Sequence, residues 1–453
     1  MKRKTINIIT MCMVWTLILV LAASCTTQDS KPEDDQEASQ QVVDQNNDNQ
    51  EDKVQKQDKS DGNSEKITLT FWNGFTGSDG EILTDIVDRF NENNDQNIEI
   101  KMDIMPWDTY FQKLPPAIAT NTAPSFVLMG VEFIPEYVSS NSIQPLDDFW
   151  DVTGIDESDF VKNVLDMYKY QGKYYMTPMQ YNLQYLYWNK DLFKEAGLDP
   201  EKPPETWEQL GEYAVQLTDP TKNQYGFGVT KDDALAPLIW GNGGEFWDIE
   251  NQKSLLDSPE NIKTYEWLQD LVVNKEVSPK GATGPDLDNL LKSGNLAMYI
   301  SGPWQVNGLR NAGINFGITA PPKGTVTQAA PLGGCGFAIP KGTTDELKSA
   351  VYEFCKYWLS PEILKEWTMK NGFPPFSNEV INDPDVMNDE IQQSIAPLGT
   401  LGKSYNLEIA IGSQLHNDVI KPMMDTILMG TGKPADVVKE ASEKIDEIFQ
   451  SSK

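Results

Sequence analysis

The chain changes character sharply at residue 66, and this change determines where a fold can form. Residues 26–66 contain no aromatic residue, and three valines are their only sizeable apolar side chains. Such a segment cannot bury enough apolar surface to offset the entropy that ordering would remove. We therefore predict a disordered acidic spacer over residues 25–66 and a folded body that begins at residue 67.

The N-terminus has the pattern of an export signal. A basic start, MKRK, precedes an apolar stretch that ends in LAASC at residues 21–25. A basic start, an apolar stretch and small residues are typical of a secretory signal, and LAASC resembles a bacterial lipobox, although Ala22 stands where Leu is preferred. We predict a lipoprotein signal peptide over residues 1–24 and lipidation of Cys25. An uncleaved membrane anchor remains the alternative, because the apolar stretch is about 18 residues long.

The body reads as alternating strands and helices. ITLTFW predicts a strand, NGFTGSDG a glycine-rich loop, EILTDIVDRFNEN a helix and IEIKMDIM a second strand. Further helices are predicted over TWEQLGEYAVQL with Thr206 as N-cap, over ENIKTYEWLQDLVVN, over DELKSAVYEFCKYWL and over ADVVKEASEKIDEIF, and GGCGFAIP predicts a buried strand. This order is typical of an α/β fold with a parallel sheet. A chain of 453 residues is too long for one ordinary core and suits two lobes.

Composition excludes several classes of function. The net charge of −31 disfavours a nucleic-acid partner. Beyond Arg3 the chain has only Arg89 and Arg310, which disfavours a strongly anionic ligand, although lysines could still hold one. The single histidine, His416, excludes multi-histidine metal sites, and we expect it to be a surface or structural residue. We expect no cofactor and no metal.

The cysteines allow two readings. Cys12 leaves with the predicted signal peptide and Cys25 carries lipid, so Cys335 and Cys355 remain in the body. They could pair in an oxidising compartment or stay as buried thiols. We favour free thiols, because a body of this size needs no covalent crosslink.

Four stretches occur in the order and spacing of one family. They are LPPAIATNTAPSFVLM, YWNKDLFKEAGLDPEKPPETWEQL, KSGNLAMYISGPW and GGCGFAIPKGTTDELKSAVYEFCKYWLSPEILKEWT. Together they resemble the extracellular solute-binding proteins of carbohydrate ABC importers, the maltose-binding-like group. The first stretch departs from the family pattern, since Ser125 stands where Asp is usual. The resemblance covers roughly residues 67–450.

The resemblance implies a two-lobed α/β fold of the periplasmic-binding-protein type (type II), with hinge crossings and a ligand cleft between the lobes. Lobe one would comprise residues 67–178 plus 318–360, and lobe two residues 179–317 plus 361–453. MTPMQYN would hold the first crossing. The implied function is capture of a sugar and its delivery to the transmembrane permease subunits of an ABC importer. The protein would be a monomer, held by its lipid on the extracellular face of the cytoplasmic membrane as in Gram-positive members.

Loops that follow strands carry the candidate ligand-binding residues. Sugars offer apolar C–H faces that suit aromatic rings, and hydroxyls that suit carboxylates and amides. In α/β sheets such ligands bind at the carboxyl ends of the strands. The candidates are Trp72, Phe75, Thr76, Asp79, Glu132, Gln180, Asn182, Trp240, Trp247, Trp304 and Phe373. Asn73 and Asn371 lie in the same loops, and Trp107 and Tyr110 are weaker candidates for the cleft rim.

Several candidates have an equally plain structural interpretation. Trp72 and Phe75 could belong to a core, and Asp79 could cap the helix that follows it. Trp304 is favoured as a site residue because the Gly-Pro turn directs it away from the preceding strand. The remaining tryptophans in regular apolar patterns are expected to be structural: Trp188, Trp207, Trp267, Trp358 and Trp367.

Other functions remain as alternatives. The 68 acidic residues would allow a glycosidase or lyase, but no stretch isolates two acids in an aromatic setting. The motifs of serine hydrolases, zinc proteases and P-loop enzymes do not occur in the sequence. An adhesive surface lipoprotein, or a binding protein for a solute other than a sugar, would fit the same N-terminus.

Overall fold

The computed structural model describes residues 66–231, 235–404 and 409–452. The predicted signal peptide, Cys25 and nearly all of the spacer lie outside the described residues. Within the described ranges, none of the helices combines the length and apolar character needed to cross a membrane.

The described chain forms two larger sheets and two short hairpins. The strands are β1 (Ile67–Asn73), β2 (Ile98–Ile104), β3 (Phe126–Gly130), β4 (Lys169–Tyr170), β5 (Lys173–Tyr174), β6 (Thr177–Leu183), β7 (Tyr185–Asn189), β8 (Trp247–Asp248), β9 (Lys253–Ser254), β10 (Met298–Ser301), β11 (Phe316–Thr319), β12 (Ala330–Ala338) and β13 (Gly402–Ser404). The first sheet has the order β13-β12-β3-β1-β2, with β6 paired to β12, and the second sheet has the order β10-β7-β11.

Helices cover both sheets. They are α1 (Ser78–Asn93), α2 (Trp107–Ala119), α3 (Ile134–Ser139), α4 (Phe149–Thr153), α5 (Lys162–Leu165), α6 (Lys190–Glu195), α7 (Trp207–Gln216), α8 (Ala236–Gly241), α9 (Pro259–Gln269), α10 (Gly284–Lys292), α11 (Gln305–Asn311), α12 (Asp345–Trp358), α13 (Pro361–Asn371), α14 (Asn378–Ile381), α15 (Pro384–Asn388), α16 (Glu390–Ile395), α17 (Gly412–Leu415), α18 (Lys421–Leu428) and α19 (Pro434–Ser451). Two π-helical turns, Asp270–Asn274 and His416–Ile420, follow α9 and α17.

The first lobe is built around the six-stranded sheet. β1 lies between β2 and β3 and is parallel to both. Its alternate residues Leu69 and Phe71 are fully buried, as expected for a strand with one face on a core. The Phe71 ring stacks on Phe126 with centroids 4.3 Å apart, and Phe354 of α12 packs against both rings. This aromatic packing joins the sheet to α12.

The second lobe is built around β7, with α7, α8, α9, α18 and α19 contributing to its core. Both neighbours of β7 run antiparallel to it. β12 in the first sheet is likewise antiparallel to β3 and β6. The parallel sheet predicted from the strand–helix order is therefore confirmed for β1, β2 and β3 and is wrong for these other pairs. β7 and β12 each enter their sheet from a crossing between lobes, which a local pattern does not reveal.

All five helices predicted from apolar spacing are confirmed. α1, α7, α9, α12 and α19 lie within a few residues of their predicted positions. Thr206 caps α7, because its Oγ1 accepts a hydrogen bond from the backbone N–H of Gln209 at 3.4 Å. The body cysteines are free thiols, as favoured from the sequence: Cys355 is buried and Cys335 is half-buried.

The chain crosses between the sheets at Gln184. This residue joins β6 of the first sheet to β7 of the second, and its backbone N–H donates to the Pro331 carbonyl at 3.0 Å. The predicted MTPMQYN crossing lies just before this point, within β6. The lobe borders stay a prediction, and the structure supports three changes to them. Residues 361–386 pack into the first core through α13, α14 and Val386, and β6 and β13 both pair with β12, so we propose to place all three segments in lobe one.

Candidate functional site

The loop after β1 brings an aromatic side chain and a buried amide to the edge of the first sheet. Asn73 is fully buried, and its Oδ1 accepts a hydrogen bond from the Phe75 N–H at 2.9 Å. Gly74 has no side chain because the Trp107 indole lies directly over it, and a Cβ there would overlap the ring. The loop is thus held in one conformation where it enters α1.

Three aromatic rings form a stack beside this loop. Trp367 of α13 lies between Phe75, with centroids 6.2 Å apart, and Phe373, with centroids 5.6 Å apart. Gln180 orients the stack, since its Oε1 accepts a hydrogen bond from the Trp367 Nε1–H at 2.7 Å. Phe75 is 8% exposed and Phe373 is 1% exposed. Both rings therefore belong to the core of the first lobe. The hydrogen bond to Gln180 fixes the orientation of the Trp367 indole.

Trp304 reaches from the second lobe to the first. It precedes α11, its ring folds back over Gly302, and a Cβ on Gly302 would overlap that ring. The Gly302 carbonyl is itself fixed, because it accepts a hydrogen bond from the Tyr187 hydroxyl at 2.8 Å. The indole is half-buried and packs against the core of the first lobe. Trp304 thus lies at the junction of the lobes with part of its surface open.

Two carboxylates approach each other at this junction. Burial raises the pKa of Asp79, at the start of α1, to about 6, although the Gly80 N–H donates to its Oδ1 at 3.0 Å. Burial also raises the pKa of Asp288, on α10, to about 6, despite a hydrogen bond donated by the Gln305 amide. The negative charge of Asp288 raises the Asp79 pKa further, and Lys292 lowers both values. Asp79 on α1 and Asp288 on α10 thus repel each other when both are ionised.

Glu132 lies near the same edge of the first sheet. Its carboxylate folds back over Gly130, at the end of β3, where a Cβ would overlap it. Cys335 of β12 stands opposite Gly130, and both Glu132 and Asp79 contribute to raising its pKa, after burial. Helix α17 of the second lobe contacts the turn Val131–Phe133. Glu132 therefore shares one region with Asp79, also beside the second lobe.

Direct contacts join the lobes around α11. The Asn307 Nδ2 donates to the Ser78 carbonyl at 3.4 Å. Arg310 donates to the Met369 carbonyl at 2.9 Å and pairs with Asp389 at 3.1 Å. α11 is thus in contact with both α1 and α13, and Asp79, Asp288 and Trp304 lie beside this contact.

The two tryptophans of IWGNGGEFWD lie elsewhere. Trp240 is 3% exposed and belongs to the core of the second lobe, with the Lys403 ammonium 4.8 Å from its ring centroid. Lys403 is on β13 and also pairs with Glu245. Trp247 is half-buried in the β8–β9 hairpin, with its ring beside Phe246. We find no contact that joins either ring to Trp304 within the described residues.

The remaining candidates are spread over the first lobe. Trp72 is half-buried, and its Nε1–H donates to Asp103 at 3.1 Å. Thr76 is exposed, and Asn182 is buried beside the backbone of Gly333. Tyr110, predicted for the cleft rim, is instead fully buried. Its hydroxyl donates a hydrogen bond to the Leu128 carbonyl at 2.7 Å.

Sequence reasoning missed Asp288 and Gln305. Asp288 is one of two acids on α10, and nothing in its local pattern distinguishes it from the exposed Asp286. Gln305 is 2% exposed and donates to both Asp288 and the Ser301 hydroxyl. The signal that was available is its position directly after Trp304. His416, expected to be a surface or structural residue, lies in a π-helical turn where burial lowers its pKa to about 4.

Comparison with known proteins identifies the relatives of this chain. Residues 85–393 match the family described as bacterial extracellular solute-binding protein. The sn-glycerol-3-phosphate-binding periplasmic protein UgpB of Shigella dysenteriae is 28% identical over 336 residues, which cover 70% of this chain and 76% of that protein.

Solved structures show the same fold. An ABC transporter solute-binding protein from Thermotoga lettingae, bound with α-D-tagatose, has a TM-score of 0.76 at 24% identity over 85% of this chain and 100% of that one. One from Agrobacterium radiobacter K84, in complex with ribitol, has a TM-score of 0.75 at 26% identity over 84% and 99%. The predicted two-lobed α/β fold of the periplasmic-binding-protein type is confirmed.

Trp304→Ala should weaken binding of a ligand held at the junction at least roughly tenfold, because a ring face is lost there. Its effect on folding should be small, since the indole is half-buried. Calorimetric titration and thermal unfolding measure the two effects. The matched control is Trp358→Ala, which removes a fully buried ring and should lower the free energy of unfolding by about 3–5 kcal/mol. If the two variants lose the same amount of stability, Trp304 is a core residue.

Asp288→Asn should raise the melting temperature at pH 7.5 by roughly 2 °C or more. A raised carboxyl pKa means that the folded protein binds more protons than the unfolded chain between about pH 4 and 6. The free energy of unfolding of the wild type therefore falls as pH rises through this window. The Asp288→Asn variant should not show this decrease, because its amide does not ionise. The gain should shrink towards pH 4.5 in thermal unfolding scans.

The control for this experiment lies two residues away. Asp286 accepts hydrogen bonds from the Thr283 backbone N–H and hydroxyl at the start of α10, and these lower its pKa. Asp286→Asn should therefore lower the melting temperature at pH 7.5, the opposite sign. A pH-independent gain for Asp288→Asn would show that its carboxylate is not destabilised by burial.

Proposed function

The chain belongs to the family of bacterial extracellular solute-binding proteins, which bind solutes for ABC transporters and are not enzymes, and on this premise we propose that its ligand is a neutral sugar or sugar alcohol. The protein would hold this ligand between its lobes and deliver it to the permease. Two observations carry the proposal: Asp79 and Asp288 interact electrostatically between the lobes, and Trp304, which directly precedes the Asp288 partner Gln305, packs against the core of the first lobe.

The side chains at the junction match the chemistry of a polyol. Each hydroxyl both donates and accepts, so a carboxylate or an amide oxygen can accept a hydrogen bond from it while an N–H donates to its oxygen. Asp79, Asp288 and Gln305 provide such groups from both lobes. The open part of the Trp304 surface suits the apolar C–H face of a sugar ring.

The charges at the junction disfavour a phosphate ligand. Asp79, Asp288 and Glu132 are acidic, and Lys292 is the cation that acts on the first two. Both body arginines have partners: Arg89 pairs with Glu366 at 2.5 Å, and Arg310 is held as described above. A phosphate would therefore meet mostly like charges. This supports a ligand different from the sn-glycerol 3-phosphate named for the UgpB relative, which remains the second candidate.

A thermal-shift panel tests the proposal. The probes are ribitol, D-tagatose, maltotriose and sn-glycerol 3-phosphate, each added to the protein without its N-terminal 24 residues. A ligand at 100 times its Kd stabilises the folded state by about 2.7 kcal/mol, which should raise the melting temperature by several degrees. We expect a shift with at least one neutral probe and none with the phosphate. A shift with sn-glycerol 3-phosphate alone would overturn the proposal. The absence of a shift with every probe would overturn it as well.

The N-terminus supports a second proposal, attachment to the membrane through a lipid on Cys25. Cys25→Ser should move the protein from the membrane fraction to the soluble fraction of the producing cells, because no acyl chain could be added. Cys12→Ser is the matched control, since Cys12 lies within the predicted signal peptide, and its protein should stay with the membrane. An unprocessed Cys25→Ser protein that remains membrane-bound would favour the uncleaved anchor.

A further inference from the structure

Asn371 is a buried amide without partners. It ends α13 and is 0% exposed, yet neither its Oδ1 nor its Nδ2 has a hydrogen-bond partner among the described residues. It is also the only residue of the described ranges with both side-chain polar atoms buried and unpaired. Leaving such a group unpaired destabilises the folded state, so a buried amide of this kind needs an explanation.

The position of Asn371 relates it to the candidate site. Asn371 follows Trp367 by one helical turn, so both side chains lie on the same face of α13. Trp367 stacks on Phe75, whose N–H is held by Asn73. The Nδ2 of Asn73 is likewise buried and unpaired. Two amides with unused hydrogen-bonding capacity thus flank one aromatic wall.

The end of α13 also touches the second lobe. Gly372 follows Asn371 with a φ of 76°, a conformation that favours glycine. A Cβ at Gly372 would lie 2.7 Å from Val306 Cγ2, so α13 ends directly against α11. Val306 is two residues after Trp304. Asn371 therefore stands where the two lobes meet beside Trp304.

We propose that Asn371 binds the ligand by recognising two adjacent hydroxyl groups, with Asn73 supplying a further donor. A carboxamide has both a donor and an acceptor end, and a vicinal diol can accept at Nδ2–H and donate to Oδ1. A phosphate group presents mainly acceptors and could not pair with Oδ1, whereas the free diol of sn-glycerol 3-phosphate could; discrimination against that compound therefore rests on the acidic residues of the junction. This proposal rests on the proposed function and deepens it, because it names the vicinal diol as the recognised element.

Asn371→Leu separates a ligand-binding role from a structural one. Leucine has nearly the same size and removes the unpaired polar atoms, so the melting temperature of the unliganded protein should stay the same or rise. The affinity for ribitol or D-tagatose should fall at least tenfold, which corresponds to about 1.4 kcal/mol. Calorimetric titration and differential scanning calorimetry measure the two quantities on the protein without its N-terminal 24 residues.

Asn261→Leu is the matched control. Asn261 is also 0% exposed, but its Nδ2 donates to the carbonyls of Glu245 and Leu255 at 2.6 and 2.9 Å. Its replacement should lower the melting temperature and leave affinity unchanged. If Asn371→Leu behaves in this way as well, Asn371 is structural and the proposal is wrong.

A second variant covers the case in which leucine disturbs the fold. Asn371→Asp keeps the acceptor and removes the donor, so it should bind the same probes more weakly than the wild type; wild-type affinity would overturn the proposal. If the wild-type protein binds no neutral probe, the proposed function fails. In that case the melting temperature of unliganded Asn371→Leu still decides the role of Asn371. A decrease as large as that of Asn261→Leu would show that Asn371 is structural.

Discussion

The contact of α11 with α1 and α13 is the constraint on which the arrangement of the lobes depends. Few groups make this contact. The chief ones are the hydrogen bonds that Asn307 donates to the Ser78 carbonyl and Arg310 donates to the Met369 carbonyl. The same contact brings Asp79 and Asp288 together with raised pKa values. Both acids are desolvated in this arrangement of the lobes, so ionisation of their carboxyl groups opposes the arrangement above about pH 6. A ligand that accepts from or donates to both lobes can offset that penalty, and only such differential binding shifts an open–closed equilibrium.

The two sides of the junction differ in how firmly they are held. On the first lobe, Phe75, Trp367 and Phe373 form a stack that is oriented by Gln180 and fully packed. On the second lobe, Trp304 rests on Gly302 and keeps part of its surface open. A rigid wall lowers the entropy that ligand binding must remove, whereas a half-open ring leaves a face that a ligand can cover. The ligand-binding role of Trp304, which the family resemblance implies, stays a prediction.

Local sequence patterns were sufficient for the elements and insufficient for the site. The apolar spacing of α12 and the Thr206 cap of α7 depend on neighbours within a few residues, so both could be predicted. The electrostatic interaction of Asp288 with Asp79 joins positions more than two hundred residues apart, and 68 acidic residues offer no local sign of which two interact. Phe373 followed a loop-like pattern, yet stacking on Trp367 makes it core. Burial set by distant partners does not show in periodicity.

The buried amides at the junction connect stability with selectivity. An amide that is unpaired within the protein destabilises the fold, and a surface residue with the same side chain would not. Asn371 and Asn73 both carry such atoms on the first lobe, beside the aromatic stack and close to α11. Because an unpaired amide discriminates strongly against partners that cannot satisfy it, the same feature that weakens the empty protein would favour a ligand with paired hydroxyls over one with acceptors alone. The acidic groups nearby act in the same direction, since they repel anions while accepting hydrogen bonds from hydroxyls.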